Sequence, residues 1–208
     1  MFMTKILKDL QILILDMDGT LYRHDGDNGT VNNSSLIKTV ITNSIQFVID
    51  REGCSREIAA ALVDKARRTD TIGISSFMAR RYGITRGEYF NETWNIDPGK
   101  FVDKSRTPAK TIRKMALRGK RLFLLTGAPR VWMENVLKFL VLEDVFERKY
   151  HGEMFTQKTE IFEALAGEFS PESILSAGDQ YETDLKPAAD RGMKIFEVKD
   201  PLDLLKLL

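Results

Sequence analysis

The chain has one cysteine and two histidines in 208 residues, and these shortages remove several mechanisms at once. Cys54 alone allows no internal disulfide and no multi-cysteine zinc site, and it reads as a small packing residue suited to a reducing compartment. His24 and His151 fall in neither a metal-ligand spacing nor a triad-like order, so histidine-based catalysis has little support. Charge of one sign is missing too. Lys plus Arg is 31 and Asp plus Glu is 30, and the net charge of +1 offers no global attraction to nucleic acid or to an anionic membrane. The apolar stretch in MFMTKILKDLQILILDMD is cut by Lys8, Asp9, Asp16 and Asp18, too short for a signal segment or a membrane span. The expected location is cytoplasmic. No repeat and no low-complexity segment is found, and carboxylates remain as the main reactive groups.

What is present is an ordinary globular composition, 43% hydrophobic and 29% charged, at a length that fits one domain or a domain carrying an insertion. Near its start the chain reads ILILDMDGTLY. Ile12 to Leu15 form a short apolar run rich in β-branched residues, which predicts a strand buried on both faces of a parallel sheet. Asp16 and Asp18 lie just past its carboxyl end. In open α/β sheets that edge is where ligands bind.

A polar, turn-forming segment, RHDGDNGTVNNSS, comes next. From Leu36 the apolar residues Ile37, Val40, Ile41, Ile45 and Val48 recur at helical spacing, with Ser34 or Ser35 available as N-cap. A second helix is predicted over Arg56 to Arg68, and further turns near Ser75 to Arg81 and Arg86 to Asn91. No strand pattern interrupts this region. From Thr107 an α/β rhythm begins, with Thr107 as N-cap and Pro108 opening a helix. RLFLLTG is a second buried strand, Pro129 opens a helix, VFERKY is a weaker strand, and Thr159 to Ala166 is helical. SILSAGD is a third strong strand, followed by a helix over Thr183 to Arg191, a last strand KIFEV and a closing helix PLDLLKLL. The predicted fold class is α/β, a doubly wound parallel-sheet core with an all-helical cap inserted after the first strand. The core is expected to comprise residues 1–22 and 105–208 and the cap residues 23–104.

Each strong strand ends in a polar cluster: Asp16 and Asp18, then Thr126 and Gly127, then Gly178 and Asp179. In a parallel sheet these ends share one edge and can converge. Together ILILDMDGTLY, LFLLTGAPR, Lys158 and AGDQYETDLKPAADRGM resemble the four ordered motifs of the haloacid dehalogenase superfamily, in its Mg²⁺-dependent phosphatase branch. The helical insertion resembles the cap of its phosphoglycolate phosphatase-like and pyrimidine nucleotidase-like members.

Phosphoryl transfer needs an in-line nucleophile, neutralisation of the phosphoryl charge and a proton for the leaving oxygen. The resemblance implies Asp16 as nucleophile, through an aspartyl-phosphate, and Asp18 as acid and base. Asp16, Asp179 and Asp184 with the carbonyl of Asp18 would hold Mg²⁺. Thr126, the backbone N–H groups of Met17 and Gly127, and Lys158 would bind the phosphoryl group, aided by the helix opening after Pro129. Lys149 is the alternative for the lysine, because QKTEIF departs from the family's proline-containing run. An EF-hand reading of the acidic turn fails, since Gly19 stands at the wrong loop position and no glutamate closes the loop.

The expected activity is hydrolysis of a small-molecule phosphomonoester, such as a nucleotide, a sugar phosphate or phosphoglycolate. A phosphomutase and a non-catalytic phospho-ligand-binding protein are the alternatives. Tyr22, His24, Tyr82, Arg86 and Phe90 are the expected specificity residues, from position alone. Trp94 and Trp132 read as packing residues, and the basic run from Lys100 to Arg121 as a solvated face.

Overall fold

The computed structural model describes residues 10–25, 34–70, 73–103 and 105–208. The opening stretch before Leu10, most of the turn-forming run (26–33) and Lys104 of the basic run lie outside the described residues. Five parallel strands form one sheet: β1 (Ile12–Leu15), β2 (Arg121–Leu125), β3 (Arg148–Tyr150), β4 (Ile174–Gly178) and β5 (Lys194–Glu197), in the order β3-β2-β1-β4-β5. β1 is central. Its Leu15 pairs with Leu124 on one side and with Ala177 on the other, so the ends of the three apolar strands come level.

Alternation along these strands builds two layers, because successive side chains point to opposite faces. Leu13, Leu15, Leu122, Leu124 and Leu175 pack on α5 (Thr107–Leu117) and α6 (Arg130–Leu140) through Ile112, Met115, Trp132 and Val136. Ile12, Ile14, Phe123, Leu125 and Ile174 pack on α7 (Lys158–Glu168) through Phe162 and Leu165. Covered on both faces, the sheet leaves its carboxyl edge as the place where polar groups meet.

Four helices lie between β1 and β2: α1 (Ser35–Glu52), α2 (Arg56–Thr69), α3 (Ile74–Tyr82) and α4 (Arg86–Thr93). Ser34 and Ser55 accept hydrogen bonds from the third backbone N–H after each, and Thr85 and Glu88 form a capping box. These helices own a separate apolar cluster of Phe47, Val48, Val63, Met78, Tyr89 and Phe90. α1 bridges the two parts of the molecule: Leu36 and Val40 join the sheet's cluster, Phe47 and Val48 the helical one.

Three local expectations are corrected. Thr107 lies inside α5, whose N-cap is Arg106 without a side-chain bond, because the adjacent Pro108 needs no donor partner there. The helix expected over Thr183 to Arg191 is a π turn, Tyr181–Leu185, followed by the short α8 (Lys186–Ala189). The closing PLDLLKLL helix is a 3₁₀ helix, Pro201–Leu207, with Asp200 and Asp203 in a capping box. Its buried residues Pro201, Leu204 and Leu207 stand three apart, the spacing of a three-residue turn.

Candidate active site

Asp16 leaves β1 buried, its N–H donating to the carbonyl of Ala177 at 3.0 Å. Lys158, the first residue of α7, sends its ammonium to Oδ1 of Asp16 and to Oδ1 of Asp184, both at 2.6 Å. Asp184 is buried inside the π turn after β4, where its Oδ2 accepts the N–H of Gln180 at 3.1 Å. The turn's extra residue lets one side chain cap the segment and face the sheet edge together. Ser176 on β4 fixes the same turn by donating to the carbonyl of Asp184 at 2.8 Å.

Two glycines make room for this packing. Gly19 has φ +85°, and a Cβ there would meet Oδ2 of Asp179 at 2.4 Å. A Cβ on Gly178 would meet Cβ of Asp184 at 2.5 Å. The acidic turn after β1 therefore touches the one after β4 only because Gly19 has no side chain, and Gly178 lets the second turn fold back on its own strand.

Electrostatics follow from burial. Asp16 is pushed well above the usual carboxylate range by burial, with Lys158 opposing and Asp184 and Asp179 adding to the rise. Asp179 is raised to about 7 by burial and then by Asp184. Burial by itself lowers the Lys158 ammonium, but Asp16 and Asp184 reverse this and hold it above its ordinary value. One oxygen each from Asp16, Asp179 and Asp184 lies within 4.8 Å of the others. Oδ1 of Asp179 is buried with no hydrogen-bond partner. Three crowded carboxylates, one with an unused oxygen, form a hard-oxygen donor set that fits a divalent cation.

Asp18 sits in a different setting. Tyr22 donates a short hydrogen bond to its Oδ1, Trp132 Nε1 donates to the same oxygen at 3.1 Å, and Thr126 donates to Oδ2 at 3.3 Å. Burial, then the charge of Asp18, raises the Tyr22 phenol well above its ordinary value, so it remains a donor. Sequence reasoning missed this network. Trp132 is more than packing, and Tyr22 serves Asp18 instead of facing a ligand.

Lys158, and not Lys149, meets the carboxylates, since Lys149 donates to the carbonyl of Glu143 beside β3. Thr126 is fully buried, and its hydroxyl also accepts the N–H of Ala128 at 3.1 Å. The first N–H of α6, on Arg130, is taken by the Glu153 carboxylate at 2.8 Å. Met17 has a buried side chain, and its carbonyl accepts from Thr20 and Leu21, closing the turn that presents Asp18.

A cleft of about 570 Å³ opens over this edge, with Asp16, Asp18, Gly127 and Lys158 at its floor and Ile37, Trp94 and Phe155 among its walls. None of the expected specificity residues Tyr22, His24, Tyr82, Arg86 and Phe90 lines it. Tyr82 is tied to Glu52, and Arg86 reaches Ser75 and the carbonyl of Gly152. Ile37 at the start of α1 and Trp94 at the end of α4 take the positions assigned to them. The sequence carries no signal for either, since Ile37 belongs to the apolar repeat of a helix and Trp94 reads as a packing residue.

No family model matches the chain, and no curated protein matches it in sequence. Solved structures match it in fold. A haloacid dehalogenase-like family hydrolase from Xanthomonas campestris is 15% identical, covers 93% of this chain and 92% of its own, and superposes with a TM-score of 0.53. A haloacid dehalogenase superfamily hydrolase from Geobacter sulfurreducens is 14% identical over 96% and 97%, with a TM-score of 0.53. A predicted phosphoglycolate phosphatase from Haemophilus somnus is 15% identical over 96% and 98%, with a TM-score of 0.55. The chain thus has the fold of haloacid dehalogenase-like hydrolases along nearly its whole length. Among the described residues no helix is long and apolar enough to cross a membrane.

Proposed function

We propose that the chain is a Mg²⁺-dependent phosphatase of small phosphomonoesters. One observation carries this reading: Asp16, Asp179 and Asp184, from two strand ends far apart in sequence, bring their oxygens together where Lys158 bonds Asp16 and Asp184, and Asp16 and Lys158 line a cleft. The fold likeness to known hydrolases supports it.

Asp16, Asp179 and Asp184, with the Asp18 carbonyl, would hold the cation, which when bound neutralises phosphoryl charge and favours ionised carboxylates. Asp16 attacks phosphorus, and the leaving oxygen departs as the aspartyl-phosphate forms. Asp18 gives that oxygen its proton, then takes a proton from the water that hydrolyses the aspartyl-phosphate. Lys158 stabilises the charge gathering on the phosphoryl oxygens. Gly127, on the cleft floor, and Met17 offer backbone N–H groups to the same oxygens. Thr126 acts mainly through Asp18, whose Oδ2 it holds.

In this reading residues 1–22 and 105–208 form the catalytic core, and residues 23–104 a cap that shuts water out. The separate apolar cluster of α1 to α4 supports that division. A cytoplasmic setting accords with the single cysteine.

The test is phosphate release from p-nitrophenyl phosphate with and without Mg²⁺. The wild type should release phosphate in excess of enzyme, which also separates hydrolysis from a mutase reaction. Asp16→Asn should lose about a thousandfold or more in kcat while keeping its melting transition. Mg²⁺-dependent turnover retained by Asp16→Asn would remove the proposal.

A further inference from the structure

We infer that Arg86 is a positioning residue: from the helical region, and through Gly152, it fixes the loop after β2 whose Gly127 offers its N–H to the phosphoryl group. This deepens the phosphatase reading and rests on it for the part given to Gly127.

Arg86 is the first residue of α4, half-buried, and its aim is set by neighbours among the four helices. Its Nε donates to the hydroxyl of the buried Ser75 at 3.1 Å, and the guanidinium carbon lies 5.5 Å from the centre of the Phe90 ring. Nη2 then reaches out of the helices and donates to the carbonyl of Gly152, between β3 and α7, at 3.2 Å. A planar guanidinium fixes both hydrogen-bond directions together.

Gly152 passes the contact on. A Cβ there would meet the carbonyl oxygen of Gly127 at 2.2 Å, so the two backbones touch with no side chain between them, and the N–H of Gly152 donates to the carbonyl of Ala128 at 2.8 Å. Glu153 works alongside: its Oε1 accepts the N–H of Arg130, and its Oε2 lies 3.2 Å from where a Cβ on Gly87, the second residue of α4, would stand. Residues 152 and 153 thus form a wedge between the start of α4 and the loop 126–130. Thr126 ties the same loop to Asp18. Gly127 is exposed to the cleft, with nothing within 4 Å of an added Cβ, so its place depends on what packs against its carbonyl.

Other contacts seat α4 on the sheet's layer. Val131 of α6 packs on the apolar cluster of the helices, and Asn135 donates to Oδ1 of Asn95, just past α4, at 3.0 Å. These place the helix, and the bond from Arg86 ties it to the wedge. Phosphoryl binding and the seating of α4 therefore favour each other reciprocally.

The test measures the inhibition constant of inorganic phosphate against p-nitrophenyl phosphate with Mg²⁺, since phosphate fills the phosphoryl site without a leaving group. Arg86→Ala should raise that constant about tenfold, because a displaced Gly127 loses its donor geometry. Arg51→Ala breaks the Arg51–Glu92 pair between α1 and α4, loosening the helices without touching Gly152, and should stay within about twofold of wild type. A rise below about threefold in Arg86→Ala, or an equal rise in Arg51→Ala, overturns the inference. Should Arg86→Ala not fold, Ser75→Ala, which frees the guanidinium, should raise the constant about twofold or more, and an unmoved constant there overturns it. If the wild type releases no phosphate, the phosphatase reading fails, and hydrogen exchange of the ligand-free protein decides the inference. In Arg86→Ala the amides of residues 126–131 and 151–154 should then exchange about tenfold faster while those of β1 and β4 keep wild-type rates. Unchanged exchange in these two segments, or equal acceleration throughout, overturns it.

Discussion

The ammonium of Lys158 stands 2.6 Å from Oδ1 of Asp16, although 142 positions separate them in the chain. It stands equally close to Asp184. One buried cation therefore offsets two buried carboxylates, and the start of α7 is locked to the ends of β1 and β4.

Removing that cation strands the two carboxylates. Breaking a buried pair typically costs about 3–5 kcal/mol, less whatever protonation relieves. Lys158→Ala should lower the melting temperature and phosphatase activity together, and Mg²⁺ should restore part of the melting temperature. Lys149→Ala, which loses a bond to the Glu143 carbonyl, should stay near wild type in activity. The reverse ranking in a phosphate-release assay would assign the motif to Lys149.

Asp179 makes the metal-free protein sensitive to pH. Its carboxyl is raised from 3.8 to about 7 in the folded state, chiefly by burial. The folded chain thus binds a proton that the unfolded chain has released. This group's stabilisation is complete below about pH 4 and is lost as pH rises through about 7. Asp179→Asn should flatten that part of the melting-temperature profile without cation. Cation binding needs the carboxylate, so Mg²⁺ should raise the melting temperature more at pH 8 than at pH 5. An equal gain at both would exclude Asp179 as a ligand.

Gly19→Ala tests the contact between the two acidic turns. Added Cβ atoms essentially never lie at 2.4 Å from an oxygen, and φ +85° strains any L side chain. The variant should fold with a lowered melting temperature and lose about a hundredfold or more in kcat, because Asp179 must move. Titration with Mg²⁺ by calorimetry should show weakened binding. Wild-type affinity in a folded Gly19→Ala protein would show that Asp179 is dispensable for the cation.

Tyr22 holds Asp18 without lining the cleft, so its removal should be felt most where a leaving oxygen needs a proton. Tyr22→Phe should slow hydrolysis of alkyl phosphates about tenfold and p-nitrophenyl phosphate less, since nitrophenolate leaves unprotonated and only the later water step then calls on Asp18. Trp132→Phe should act the same way through its lost indole N–H. Unchanged rates on both substrate types would leave Tyr22 without a part in the chemistry of Asp18.

The sheet and the acidic cluster were legible because each rests on a local signal. Runs of branched apolar residues mark β1, β2 and β4, a parallel sheet aligns their ends, and Ser34 capping α1 is written in the residue type itself. The Asp18 network was not legible. Tyr22 and Trp132 are 110 positions apart, and their apolar bodies carry the periodicity of core residues while only the polar tip does chemistry. The cleft walls were misjudged for a related reason. Helical periodicity says which face of α4 is buried but not which end overlies the sheet edge, so it does not point to Trp94.

β1 is the first strand of the sheet to leave the ribosome, yet its neighbours on either side begin at Arg121 and Ile174. Until both arrive, a wholly apolar strand tipped with two carboxylates waits with open flanks. A nascent chain halted before β4 would offer one unpaired side of its most hydrophobic strand to other chains. Folding, and not only catalysis, thus depends on the segment after Ile174 reaching back to β1.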